Sequence, residues 1–130
     1  MELITLEEIR EARARQSGTV LTTPLLPSSS FSRLSGRDVW LKAENLQRTG
    51  SFKIRGAINV IATLDNARRG LGVVAGSAGN HAQGVALAAQ LAGVPATVFM
   101  PETAALPKVE ATRGYGADVL TMGDHPYHRR

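Results

Sequence analysis

Residues 51–64 read S-F-K-I-R-G-A-I-N-V-I-A-T-L. Ile54, Ala57, Ile58 and Ile61 recur at the helical period, Val60 and Leu64 widen the stripe, and Arg55, Asn59 and Asn66 face outward. The pattern predicts a helix from about Ser51 to Leu64, buried along one side. Residues 80–92 are apolar nearly all round, with Ala82, Val85, Ala86 and Ala89 on one side and Leu87 and Leu91 on another. This predicts a helix buried on two faces, capped by Asn80 and ended by Gly93 and Pro95. Thr5 and Glu8 form a T-x-x-E capping box ahead of Leu6 and Ile9, so a helix runs to about Gln16, and Gly18 stops it. Pro107 suits the first position of a helix ending at Gly114.

Between these helices lie short alternating or β-branched runs. Val39–Ala43, the V-V-A that closes residues 70–75, Ala96–Met100 and Ala117–Met122 predict strands. Thr23-Pro24 and Pro27–Ser30 read as a loop, with a short helical turn near Phe31–Leu34, and residues 44–50 read as a polar connection. From residue 72 onward the order is strand, helix, strand, helix, strand. That order predicts an α/β fold, with a parallel sheet and flanking helices. The final eight residues, G-D-H-P-Y-H-R-R, offer nothing to cover a sheet face, so the fold is expected to be incomplete.

Composition narrows the function classes. The chain has 130 residues, 43% apolar and 20% charged, and a net charge of +4, an ordinary balance for a globular domain. The excess arginines are scattered, at 13, 33, 48, 69 and 113 among others, with few aromatic residues to stack bases, so nucleic acid is not an expected partner. The absence of cysteine excludes disulfides and thiolate zinc sites, and His81, His125 and His128 lack metal-ligand spacing, so no metal site is expected. The acidic, amphipathic N-terminus is no signal peptide, and Gln90, Gly93 and Pro95 break the apolar tract from Val85 to Met100. The expectation is a cytoplasmic protein without a membrane partner.

Two stretches carry candidate chemistry. In V-V-A-G-S-A-G-N-H-A-Q-G, residues 73–84, a strand runs through a Gly/Ser loop into a helix. Free N–H groups at that helix start favour an anion, Ser77 and Asn80 add side-chain donors, and Gly76 and Gly79 let a ligand approach the backbone. Gly84, inside the helix, costs about 1 kcal/mol against alanine and suggests close approach to another backbone or a bound group. The alternative is a tight turn with a glycine packing contact. Neither a G-x-G-x-x-G fingerprint nor a P-loop is present, which weighs against a generic nucleotide-binding module. His81 either bonds a backbone carbonyl or takes part in the chemistry.

The second stretch is T-G-S-F-K-I-R-G-A, residues 49–57. The positive end of a helix disfavours an ammonium, and a free lysine, pKa near 10.4, is neutral about once in 2,500 at pH 7. Burial, the helix N-terminus and Arg55 are candidate causes of a lowered pKa at Lys53. A neutral amine beside Phe52 suits Schiff-base chemistry with an aldehyde. The alternative is a solvent-facing lysine in a first turn.

Taken together, T-G-S-F-K-I-R-G-A and S-A-G-N-H-A-Q-G-V-A (77–86) resemble the fold type II pyridoxal-phosphate enzymes, closest to the threonine/serine dehydratase (ammonia-lyase) branch that includes serine racemases. T-P-L at 23–25, L-K-A-E-N-L-Q at 41–47 and A-T-R-G-Y-G-A-D-V at 111–119 fit as well, so the resemblance covers about residues 5–122. Cysteine-synthase-like relatives carry a different run before the lysine, and threonine synthases usually lack H-A-Q-G after Gly79-Asn80.

The resemblance implies a tryptophan synthase beta-like fold. Residues 1–50 would belong to a larger lobe, residues 51–122 would form a smaller α/β lobe, and 123–130 would be an atypical tail. It implies pyridoxal 5'-phosphate as cofactor, carried by Lys53 through a Schiff base, with Lys53 later shuttling the Cα proton. Phe52 would pack on the pyridine ring and Asn80 would bond the phenolic oxygen. Ser77, Ala78, Gly79, Asn80 and His81 would receive the carboxylate of a small amino-acid substrate. The implied reaction is β-elimination, converting L-threonine or L-serine to a 2-oxo acid and ammonia, as in isoleucine biosynthesis. Racemisation of serine and a non-catalytic remnant are the alternatives. Full-length members of the family are expected to be homo-oligomers. They are more than twice this long, and the phosphate-cradling glycine loop and the pyridine-nitrogen partner expected of them do not occur in these 130 residues. Weak cofactor binding, little or no turnover and a sticky surface are therefore expected of this chain alone.

Overall fold

The computed structural model describes residues 3–122. Helix α1 (Leu6–Arg15) has the expected capping box: Glu8 N–H donates to Thr5 Oγ1 at 3.2 Å, and Thr5 N–H donates to a Glu8 carboxylate oxygen at 2.7 Å. None of its residues is buried. Arg15 reaches across from it to Asn59 at 2.9 Å.

Part of the expected loop at 23–30 is instead a strand. β1 (Leu25–Pro27) pairs antiparallel with β2 (Trp40–Lys42), Leu26 opposite Leu41. Two prolines hide it from a propensity reading, yet Pro27 closes the strand at the sheet's end, where its missing N–H is not needed. The helical turn expected near 31–34 is α2 (Ser29–Ser35), capped by the Ser28 hydroxyl and closed by Gly36 at φ 68°. A 3-10 turn at Glu44–Leu46 lies within the polar connection.

Helix α3 (Lys53–Ala62) is shorter than expected at both ends, and its buried residues are the expected Ile54, Ala57, Ile58 and Ile61. Residues 66–71 form a further helix, α4 (Asn66–Leu71), whose Asp65 cap accepts from Arg68 N–H at 2.8 Å. It delays β3 to Val73–Gly76. With six residues and none buried, α4 has no apolar stripe to show in the sequence.

From β3 the expected order holds: α5 (Asn80–Ala92), β4 (Ala96–Pro101), α6 (Leu106–Gly114) and β5 (Asp118–Met122). The three strands are parallel in the order β3-β4-β5. Pro107 is the second residue of α6 rather than the first. The expected double burial of α5 is present except at Leu91, which lies near the helix end and is half exposed. Val85, Leu87, Ala88 and Ala89 join Ile54, Ile58 and Ile61 of α3 in one core, while Ala82 and Ala86 join Val98, Met100, Val109 and Val119 in a second. One row of the sheet, Ala75–Val98–Val119, is buried. On the opposite face Val74 is 72% and Leu120 43% exposed. No described helix is long and apolar enough to cross a membrane. The tail at 123–130 lies outside the described residues.

Candidate functional site

Phe52 and Lys53 stand where the chain turns into α3. Phe52 occupies the cap position, and Lys53 is the first helical residue. Both are exposed, and Lys53 Nζ lies 4.9 Å from the Phe52 ring centroid, a cation–π distance. Just upstream, Ser51 is buried and its Oγ accepts from Lys53 N–H at 3.4 Å, which helps start the helix.

Arg55, which the sequence places two residues from Lys53, is paired with Glu44. Its Nε and one terminal nitrogen each donate to Glu44 at 2.8 Å, and the same terminal nitrogen reaches the Leu21 carbonyl at 3.3 Å. Its charge is balanced within that pair. Glu44 also accepts from the Thr23 hydroxyl, and Lys42 Nζ donates to the Thr23 carbonyl at 2.6 Å. Buried Gln47 pairs its side-chain amide with both the N–H and C=O of Leu21, each at 2.9 Å. The polar connection at 44–50 thus ties the segment from Leu21 to the first turn of α3.

The Arg55 hydrogen bonds, with smaller contributions from Thr23 and Lys42, hold the Glu44 carboxyl down from 4.5 to about 2. A carboxyl depressed in the folded state adds stability above its unfolded pKa and loses it as pH falls toward the folded value. Acid titration is therefore expected to lower the unfolding free energy between about pH 4.5 and pH 2. Glu8, held below its usual range by the Thr5 N–H and hydroxyl, adds to this slope. Comparing wild type with Glu44→Gln in pH-dependent urea unfolding isolates the Glu44 share, and equal slopes in the two would disprove it.

The second stretch sits between β3 and α5. Gly79, not Asn80, is the cap residue of α5, with no side-chain cap bond, and Asn80 is the first helical residue. The Asn80 amide is thereby left for other partners. Ser77 Oγ accepts from Gly79 N–H at 3.3 Å. Ser77, Ala78 and Gly79 are half-buried, while Asn80 and His81 are exposed. Among the described residues the His81 side chain makes no hydrogen bond, so the backbone-carbonyl role is not seen.

Gly84 joins the two stretches. A Cβ built on it would stand 3.1 Å from both Ile54 N and Lys53 C. The expected close approach is thus to the backbone of α3, at the residue bearing the amine. Gly84→Ala gains about 1 kcal/mol of helix propensity but forces α3 outward at Ile54, which is fully buried and cannot yield cheaply. The expected net result is about 1 kcal/mol of destabilisation in urea unfolding. A gain in stability would show that α3 slides freely.

A cleft of about 790 Å³ opens between α3 and β3. Phe52, Lys53, Gly76 and His81 line it, with apolar walls from Val60, Ile61, Val73 and Val85. It gathers the amine, the aromatic ring, one loop glycine and the histidine. Ser77, Ala78, Gly79 and Asn80 are not among its lining residues. A Cβ at Gly56 or Gly76, both on the cleft wall, would meet no atom within 4 Å, so both leave room for a ligand. An amine and an aromatic ring beside an open, mostly apolar cleft suit an aromatic aldehyde, so the residues present fit pyridoxal phosphate. Lys42, Glu44 and Gln47 fall within L-K-A-E-N-L-Q (41–47), which the sequence marks as part of the resemblance without assigning these residues a role. Their signal is a cluster of polar residues directly ahead of T-G-S-F-K.

The comparisons with known proteins agree. A family profile described as pyridoxal-phosphate dependent enzyme matches residues 17–130. The L-threonine ammonia-lyase of Thermotoga maritima is 55% identical over 122 residues, covering 94% of this chain and 30% of that protein. A threonine deaminase from T.th. superposes with a TM-score of 0.81 at 44% identity, over 97% of this chain and 39% of that one. Maize serine racemase gives 0.87 at 40% identity, over 95% and 38%. The chain thus spans about a third of the length of these relatives. With the match running through both the lysine turn and the Gly/Ser loop, the chain belongs to the pyridoxal-phosphate dependent enzymes.

Proposed function

We propose that this chain carries the amine and substrate loop of a threonine/serine dehydratase, an ammonia-lyase that eliminates the β-hydroxyl of L-threonine or L-serine. The observation that carries the reading is the shared cleft: Gly84 lets α5 approach the backbone of Lys53, and Lys53 and His81 line one opening. Residues 1–50 would belong to the larger lobe of the full-length enzyme and 51–122 to the smaller.

Pyridoxal phosphate, when bound, supplies an electron sink for charge developing at Cα. Lys53 would hold it covalently, and the Lys53 Nζ would take the Cα proton and could return it. Phe52 would offer its ring to the pyridine face, and the Asn80 amide would bond the phenolic oxygen. Ser77, Ala78, Gly79, Asn80 and His81 bind and orient the substrate carboxylate. The net reaction loses water across Cα–Cβ and hydrolyses the resulting enamine, so threonine yields 2-oxobutanoate and ammonium, and serine yields pyruvate and ammonium.

Direct detection uses the full 130-residue chain incubated with pyridoxal phosphate, reduced with borohydride and mapped by mass spectrometry. The chain has three lysines, Lys42, Lys53 and Lys108. A band near ~410–420 nm before reduction, with the pyridoxyl group recovered on Lys53, is the expected result. A label spread evenly over all three would overturn the assignment.

A further inference from the structure

We propose that Lys108 is a carboxylate-recognition residue of the same site, reaching it from α6. This rests on the substrate loop proposed above. Lys108 is the third residue of α6, and its Nζ lies 3.5 Å from the position a Cβ would take on Gly79, the central residue of Ser77–His81. Among the described residues no carboxylate pairs with it. The amides of Asn80, His81 and Ala82 likewise donate to no described acceptor.

The consequence is chemical. The loop itself offers only neutral donors, apart from the titratable His81, and these serve an amide or alcohol as well as a carboxylate. A lysine ammonium adds a full positive charge and makes the loop discriminate by charge. It also gives Gly79 a second role, since a side chain there would fill the space between the loop and the ammonium. The substrate class this selects is the free α-amino acid, with its amides and peptides disfavoured.

The test reads binding without the cofactor. The 15N-labelled chain is titrated at fixed ionic strength with 3-hydroxybutanoate, the carbon skeleton of threonine without its amine. Butane-1,3-diol is the control without a carboxylate. Saturating shifts at the amides of residues 77–81 are expected with the acid and not with the diol. Lys108→Met and Lys108→Gln, two variants at an exposed position, are each expected to weaken the acid about fivefold, and Lys108→Arg to stay within about twofold. Raising salt should weaken wild type toward the two neutral variants, a response that a purely structural lysine would not produce. Equal affinity in wild type and the neutral variants overturns the proposal, as does a wild type without shifts at 77–81. Borohydride labelling of Lys53 is independent of this readout, so failure of the cofactor reading and failure of the Lys108 proposal are separately visible.

Discussion

Lys53→Ala abolishes capture of pyridoxal phosphate and leaves the fold intact. The two halves of this expectation rest on different observations. The amine is exposed, its Nζ makes no hydrogen bond among the described residues, and it stands 4.9 Å from the Phe52 ring centroid. At an exposed site such a contact contributes about 0.5–1 kcal/mol. Alanine is at least as good a helix former as lysine, and removing a cation from a helix N-terminus returns a few tenths of a kcal/mol. The stability change is therefore within about 0.5 kcal/mol, which a urea titration resolves. The chemical change is total at that position, because neither of the other two lysines stands at the turn into α3. Lys42 donates to the Thr23 carbonyl at 2.6 Å, and Lys108 lies on α6 beside Gly79. Loss of the visible band, with at least a tenfold drop (about 1.4 kcal/mol or more) in pyridoxyl label, is the expected outcome. An undiminished band in the variant would place the reactive amine elsewhere.

Gly72→Ala acts in the opposite way, with a large cost in stability and no direct chemistry. Gly72 joins α4 to β3 at φ 84° and ψ −174°, a backbone region that side chains rarely enter. A Cβ there would stand 2.8 Å from the Pro95 carbonyl oxygen, 3.1 Å from the Pro95 Cβ and 3.3 Å from the carbonyl carbon. The same Pro95 oxygen accepts from Val73 N–H at 2.8 Å, the bond that opens the β3–β4 ladder. Alanine thus strains the backbone and pushes on the first rung of the sheet together. The expected loss is about 3 kcal/mol in urea unfolding. A loss below about 1 kcal/mol would mean that the turn has a second backbone solution.

Much of this is legible in the sequence, for a physical reason. Ile54, Ala57, Ile58 and Ile61 are all buried, because a helix packed against another helix repeats its period in the chain. Gly84 is legible as a close approach because a glycine inside an apolar helix needs a reason. What the sequence hides is local or long-range in ways a linear pattern does not carry. Helix α4 is held by one cap and has no buried side, so no periodicity marks it. Strand β1 contains a proline and takes its partner from residues 40–42. The cap of α5 falls one residue earlier than Asn80, a distinction settled by backbone angles. At the site, motifs reveal the lysine turn and the loop, whereas the Glu44–Arg55 pair stays hidden because eleven residues separate its partners. A linear reading therefore sees Arg55 only as a neighbour of Lys53, whereas its guanidinium is paired with Glu44.

Segment 21–47 has a further implication. Its two ends are held together by the β1–β2 ladder, by Gln47 on Leu21, and by Lys42 and Glu44 on Thr23. Between them α2 and the turn through Gly36 form an excursion that leaves and returns to the same place. Lengthening a loop whose ends are already pinned costs little, since closure entropy grows only with the logarithm of length. The tip around Gly36–Asp38 is therefore a permissive address, where a tag or reporter can be spliced in while α3 and its lysine keep their bearings.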